Sequence, residues 1–371
     1  MKVRYSYLDR QFAEIDAYLE GVGEVVRRGD FTLGNEVAEF ETRFAELCGL
    51  PYAVGVASGT DALMLSLKIL GVGPGDEVIT TPNTFISTVG AIAMAGATPV
   101  FVDNDEGYTI DVAQIEAAIT PATKAILPVH LTGHPANMPA IMEIANRHDL
   151  VVVEDAAQAI LASIDGKSVG SWGAATGFSL HPLKNMNIWG DGGLIVTKSE
   201  QLYENLRLFR NHGLASRDVV TMFGHNSRLD TIQASIGNRL LDQVHAITET
   251  RIANAARFDA AFAELGDDVI IPPRRDDVKQ VYHTYVVRVT DRDSLLAYLQ
   301  RNGIGAKVHY PIPLHLQQAA AHLGYRKGDF PVCEEHCQSI ISLPVHQHLT
   351  IDEMDYVIEH VRRFYDGQLA S

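Results

Sequence analysis

The sequence predicts an α/β fold: a mainly parallel sheet covered by helices on both faces, followed by a smaller α+β domain. Three patterns carry this expectation. From about residue 50 to 200, short β-rich runs alternate with longer segments of helical periodicity, the order that builds parallel strands joined by crossover helices. Residues 229–265 then read as one long helix leading out of that unit. Beyond about residue 268, an alternating strand lies among helical segments and marks a second, smaller unit. The expected division is a large domain over 1–250, with its N-terminal helices, and a small domain over 251–371.

Taken in order, two helical patterns open the chain, around 9–28 and 35–48, separated by Gly29-Asp30-Phe31-Thr32-Leu33-Gly34. Strands are expected at 53–56, 77–80, 98–102, 125–129 and 150–153, where β-branched and other apolar residues cluster. Between the first two lies a helical segment, 60–70, with apolar residues at 62, 63, 65, 67, 69 and 70. The long helix of 229–265 spaces Leu229, Ile232, Ile236, Leu240, Leu241 and Val244 at roughly helical intervals. The smaller unit opens with Pro272-Pro273, continues as an alternating strand over 281–289, and ends in helices near 292–302 and 351–366.

Composition removes several function classes. Apolar residues make up 46% and charged residues 20%, a globular balance without a disordered or fibrous bias. No run of about 18 apolar residues occurs, so no membrane partner is expected. The start, Met1-Lys2-Val3-Arg4-Tyr5-Ser6, lacks the apolar core of a signal peptide, and the expected location is the cytoplasm. A net charge of −16 without a basic stretch argues against a nucleic-acid partner. Cys48, Cys333 and Cys337 are too few and scattered for a disulfide framework. Cys333 and Cys337 read as two small residues on one helix turn, and no metal is expected because no His-Glu-x-x-His or paired Cys-x-x-Cys pattern occurs.

Chemistry concentrates around His181-Pro182-Leu183-Lys184-Asn185, a short polar turn between the apolar runs 176–180 and 194–196. A lysine held there can form a Schiff base with an aldehyde. Asp155 ends the apolar run that starts at Leu150, where a buried carboxylate requires a cationic partner. The protonated ring nitrogen of pyridoxal 5'-phosphate (PLP) is such a partner, and the aldehyde of the same molecule suits Lys184. Gln158 is then placed to donate to the phenolic oxygen of the ring. Ser58-Gly59-Thr60 follows the first core strand and opens a helix, where small residues let backbone N–H groups and the Thr60 hydroxyl surround a phosphate. Ser179 is a second phosphate ligand by position. Phe85, at the carboxyl end of another strand, can lie flat against the ring, with a core phenylalanine as the competing reading.

With these residues assembled, the chain resembles the DegT/DnrJ/EryC1/StrS family of sugar aminotransferases. The resemblance runs over nearly the whole length. It includes Phe31-Thr32-Leu33-Gly34, Ser58-Gly59-Thr60-Asp61-Ala62-Leu63, Gly190-Asp191-Gly192-Gly193, Arg210-Asn211-His212-Gly213, Gly224-x-Asn226-x-Arg228-x-Asp230 and His309-Tyr310-Pro311-x-Pro313-Leu314-His315. It implies the type I fold of PLP-dependent transferases, with a mainly parallel seven-stranded sheet. It also implies a homodimer with shared active sites, in which Asn226 reaches the PLP phosphate of the neighbouring subunit. Arg228, His309 and Tyr310 would line the sugar pocket from across that interface, and His315 joins them as a substrate-binding residue by its place in the motif. The implied reaction moves an amino group from L-glutamate to a ketone carbon of a nucleotide-linked deoxy sugar, with pyridoxamine 5'-phosphate formed in the cycle. Products of this kind feed surface polysaccharides or glycosylated natural products.

The sequence departs from the family at Thr132, Asn137 and Met186-Asn187-Ile188-Trp189, expected on the substrate side. Some relatives with histidine in place of the lysine remove a hydroxyl instead, and Lys184 argues against that dehydration. A keto-cyclitol or free keto sugar is the rival acceptor. A PLP-binding regulator without turnover would need a DNA-binding element, which the chain lacks, and a nicotinamide enzyme is weakened because no Gly-x-Gly-x-x-Gly follows the first strand.

Overall fold

The computed structural model describes residues 1–368. Its centre is a seven-stranded sheet of β1 (Tyr52–Val56), β2 (Glu77–Thr80), β3 (Thr98–Phe101), β4 (Thr123–Ile126), β5 (Val151–Asp155), β6 (Ala175–Ser179) and β7 (Gly193–Thr197), in the order β1-β7-β6-β5-β4-β2-β3. Pairings among β2 to β6 are parallel, and β7 runs antiparallel to both its neighbours. Adjacent residues of one strand enter different cores. Val78, Ala125, Val153 and Ile195 pack with the helices Gly59–Ile69 and Ile86–Ala95 on one face. Ile79, Ile126 and Val152 meet the Met138–Arg147 helix on the other face, where Val196 joins Phe40, Phe44 and Ile236 from Asn35–Cys48 and Thr231–Leu241. Burial on both sides explains why these strands read as continuous apolar runs.

A second sheet, β8 (Val269–Ile270), β9 (Tyr285–Val289) and β10 (Ile340–Leu343), is antiparallel in the order β8-β9-β10. It shares a core with helices Val244–Phe262, Arg292–Arg301 and Ile351–Gln368, and Val3 from the start of the chain is fully buried in it. Cys333 and Cys337 are buried free thiols on the Pro331–Ser339 helix. Among the described residues, no helix is long and apolar enough to cross a membrane.

Two segments differ from expectation for visible reasons. The long helix of 229–265 is two, Thr231–Leu241 and Val244–Phe262. At the junction Arg43 Nη1 donates to the Asn238 carbonyl at 2.9 Å, and the ladder tightens to an i−3 bond from Gln243 N to Leu240 O at 3.0 Å. The strand of 281–289 begins only at Tyr285. The preceding residues leave the sheet because Val281 N donates to Gly133 O at 3.0 Å, and Tyr282 takes a left-handed φ of 47°.

Candidate active site

A cavity of about 330 Å³ opens at the carboxyl ends of β1, β2, β4, β5 and β6, the position at which α/β sheets bind ligands. Its floor follows from strand endings. After β1, Ser58 adopts extended backbone and its Oγ accepts from Asp61 N at 3.1 Å, which starts the Gly59–Ile69 helix. The first-turn N–H groups of that helix have no intrahelical acceptor. A Cβ on Gly59 would lie 2.7 Å from Ser179 Cβ, so only glycine lets the helix start approach β6 this closely. Thr60 Oγ1 is 2.8 Å from Ser87 Oγ, and Ser179 Oγ accepts from His181 N at 3.4 Å.

Asp155, 6% exposed at the end of β5, lines the same cavity. Its Oδ2 accepts from Thr88 Oγ1 at 2.7 Å and its Oδ1 from Ala157 N at 3.1 Å. Thr88 spends its only proton on this carboxylate, so Thr84 Oγ1, 2.7 Å away, donates to Thr88. Lys184 is half-buried beside them. Its turn is closed by Lys184 N to His181 O at 2.8 Å, and its carbonyl accepts from Tyr7 Oη at 2.8 Å. Burial lowers the lysine pKa to about 8, against the opposing pull of Asp155. The amine therefore reaches its neutral, nucleophilic form near physiological pH. Gln158 is oriented by Thr132 N, which donates to Oε1 at 2.7 Å and leaves the NH₂ end to donate.

The facing wall comes from far along the chain. Phe85 is half-exposed, with its ring centroid 6.0 Å from that of Tyr310. His309 Nδ1 sits 2.9 Å from Ser342 Oγ, and burial, Lys307 and Lys184 lower its pKa to about 4. Burial and the charge of Asp155 raise the Tyr310 phenol, opposed by a hydrogen bond with Gln158. His181, Asp191 and His283 complete the lining.

A paired lysine and carboxylate over a glycine cradle at a helix start is what an aldehyde-bearing, phosphorylated pyridine requires. The model of the DegT/DnrJ/EryC1/StrS aminotransferase family matches residues 13–362. The chain belongs to this family. A dTDP-3-amino-3,4,6-trideoxy-alpha-D-glucose transaminase of Streptomyces venezuelae is 41% identical over 95% of this chain and 92% of its own length. A protein of Geobacillus stearothermophilus described as a pleiotropic regulatory protein is 42% identical, over 98% of this chain and 99% of its own. Among solved structures, that of S. venezuelae DesV in complex with a ketimine intermediate superposes with a TM-score of 0.95, at 40% identity, covering 98% of each chain.

Measured against the sequence reading of this aminotransferase, the cavity gathers Ser58, Gly59, Thr60, Phe85, Asp155, Gln158, Ser179 and Lys184. His309 and Tyr310 line it too, and this corrects one expectation: they stand in the same chain as Lys184 rather than across an interface. The cause is a tether, Leu314 N donating to Pro82 O at 2.9 Å, which ties their loop to the segment after β2. Asn226 is exposed outside the cavity, and Arg228 donates to Asn211 Oδ1 at 2.9 Å.

His315 is a second correction. It is buried apart from the cavity, with Nε2 3.0 Å from Glu334 Oε1 and its ring 4.7 Å from that of Phe330. Met186 and Ile188, expected beside the substrate, are fully buried in the core, and Trp189 packs edge-on against Phe12. Asn187 Nδ2 donates to Pro182 O at 2.6 Å, Thr132 is buried behind Gln158, and Asn137 lies outside the cavity lining. The sequence reading missed Thr84, Thr88 and His283. Thr88 lies three residues after Phe85, a spacing that puts both on one side of a helix start, but a lone threonine carries no signal of its own.

Proposed function

We propose that this aminotransferase transfers an amino group from L-glutamate to the ketone carbon of a nucleotide-linked deoxy keto sugar. The single observation that carries the reading is one cavity holding the Lys184 amine, the Asp155 carboxylate and the glycine-dependent cradle at Gly59. The residues fit PLP, the cofactor of this enzyme class, which supplies a carbonyl for covalent attachment and an electron sink. In this reading Ser58, Gly59, Thr60 and Ser179 hold its phosphate. Asp155, oriented by Thr88 Oγ1 and Ala157 N, faces the ring nitrogen, Gln158 donates to the phenolic oxygen, and Phe85 covers the ring. Lys184 Nζ provides the attachment and afterwards moves the proton at the substrate carbon, a task suited to an amine with a pKa of about 8.

On the substrate side, Tyr310 Oη and the His309 ring face the sugar. We place Asn226 and Arg228 in the active site of a second copy, so that the working unit is a homodimer. The apolar surface beside them supports this: Phe223 is 99% exposed, and Val219 and Val220 are more than half exposed on the Leu214–Ser216/Val219–Val220 hairpin. Leaving such a patch to water is unusual for a monomer. The reading also takes residue 250, within the Val244–Phe262 helix, as the domain boundary, and a cytoplasmic location, in keeping with three free thiols.

The test is to load the purified protein with pyridoxamine 5'-phosphate and offer UDP-, dTDP- and GDP-linked keto sugars. Return of the visible absorbance of the PLP form identifies the acceptor. If a keto-cyclitol restores it and no nucleotide sugar does, the substrate reading fails.

A further inference from the structure

Residues 3–11 tie the unit built on β8, β9 and β10 to the turn that carries Lys184. Exposure alternates along their start: Val3 and Tyr7 are buried and Tyr5 is partly so, while Lys2, Arg4 and Ser6 are exposed. Each inward side chain meets a different part of the molecule. Val3 enters the core of the second sheet, where its N donates to Gly303 O at 2.9 Å and its carbonyl accepts from Gly305 N at 2.8 Å. The Tyr5 ring lies 5.7 Å from that of His309 on the cavity wall. Tyr7 Oη donates to the Lys184 carbonyl at 2.8 Å. Further on, Arg10 donates to the two oxygens of Glu353 at 2.9 and 2.6 Å, so the segment is anchored on both sides of Tyr7. Tyr7 itself has little freedom: it is 4% exposed, its ring is 5.1 Å from that of His346, and the Arg251 guanidinium lies 5.2 Å from its centre. Lys184, by contrast, lies outside both β6 and β7, where no strand ladder fixes its backbone.

We propose that Tyr7 is a positioning residue for Lys184: its hydroxyl fixes the main chain from which the lysine side chain springs, and so sets where the amine stands over the cavity. A lysine side chain is long and flexible, so it is aimed reproducibly only from a fixed root. The proposal rests on the reading of Lys184 as the lysine that joins PLP and moves the substrate's proton. It assigns part of the rate of that proton movement to a side chain that does not line the cavity.

Two readouts test it, with Tyr365→Phe as the matched control, since Tyr365 Oη also donates to a main-chain carbonyl, that of Thr290 at 2.9 Å, in the core of the second sheet. Lys184-Asn185 is the one Lys-Asn pair in the sequence, so carbonyl-labelled lysine with nitrogen-labelled asparagine gives a single magnetic-resonance signal from this peptide group. In the cofactor-free, full-length protein, Tyr7→Phe is expected to shift the Lys184 carbonyl signal upfield and Tyr365→Phe to leave it unmoved. In the PLP-loaded protein, single-turnover loss of visible absorbance with L-glutamate is expected to slow about fivefold in Tyr7→Phe, the worth of one hydrogen bond, at an unchanged half-saturating concentration. The isotope effect from α-deuterated glutamate is expected to rise, because proton movement then limits the step more fully. An unmoved carbonyl signal, a native rate and isotope effect, or the same slowing in Tyr365→Phe overturns the proposal.

Should Tyr7→Phe fail to fold, the native sequence made with fluorotyrosine serves instead. Its more acidic phenol of nearly the same shape is expected to move the Lys184 carbonyl signal further downfield, and an unmoved signal overturns the proposal. The underlying readings fail separately. If L-glutamate does not convert the native protein, the donor reading fails and the carbonyl signal alone decides; if Lys184→Ala still captures PLP covalently, the attaching lysine is another one.

Discussion

The two walls of the cavity are built differently. On the sheet side, Ser58, Asp155 and Ser179 sit at or within two residues of a strand end, and Lys184 lies in the turn joining β6 to β7. Parallel strands fixed by burial on both faces thus set their spacing directly. On the other side, His283, His309 and Tyr310 come from irregular segments held by scattered hydrogen bonds, among them Val281 N to Gly133 O, Arg251 Nη1 to the Tyr282 and His283 carbonyls, and Leu314 N to Pro82 O. In the proposed reading the first wall serves the cofactor and the second the substrate, so changes on the second are expected to leave cofactor binding intact.

The largest effect that tests this division is expected at Lys184. Lys184→Ala should remove turnover, a loss of about 10³-fold or more, while the protein still folds, as assayed by steady-state kinetics beside a thermal melt. Asp155→Asn keeps the polar shape but loses the charge, and a fall in kcat of about 10²-fold is expected, from an uncompensated cation worth ~3 kcal/mol. Gly59→Ala probes the cradle itself. Its Cβ meets Ser179 at 2.7 Å, so PLP affinity by absorbance titration should drop about tenfold, the result of ~1.4 kcal/mol of overpacking.

On the opposite wall, Tyr310→Phe should raise KM for the sugar about fivefold and leave PLP affinity unchanged, the signature of one lost hydrogen bond. If instead PLP affinity falls as in Gly59→Ala, the two walls are not separable. The smallest effect on activity is expected outside both, at His315→Ala. This change leaves Glu334 without its imidazole partner and should cost about 1–2 kcal/mol of stability in urea unfolding with kinetics intact.

The same division governs how much of the site could be read from sequence. Ser58 to Thr60, Asp155 and Ser179 were legible because a strand ending is a local pattern, and a ligand site at the carboxyl ends follows from topology. Lys184 was legible because a polar turn between two apolar runs has to face something other than core. His283 was hidden inside what reads as one alternating strand, since leaving the sheet before Tyr285 depends on a hydrogen bond to Gly133, distant in sequence. His315 misled in the opposite sense: it follows His309 by six residues, yet the short turn Leu314–Leu316 swings its ring away to Phe330 and Glu334. Likewise Met186 and Ile188, next to the lysine in sequence, turn into the core once Ile188 N bonds back to Leu180 O at 3.0 Å. Adjacency along the chain marks adjacency in space only where regular structure enforces it.

In the proposed function Lys184, lining one cavity with Asp155, is the residue to which PLP is joined. Reduction of the PLP-loaded protein with borohydride makes that link permanent, and peptide mapping by mass spectrometry then locates it. The label is expected on the peptide that carries Lys184 and is expected to be missing from Lys184→Ala. A label on any other lysine, or unchanged labelling of the variant, would contradict it.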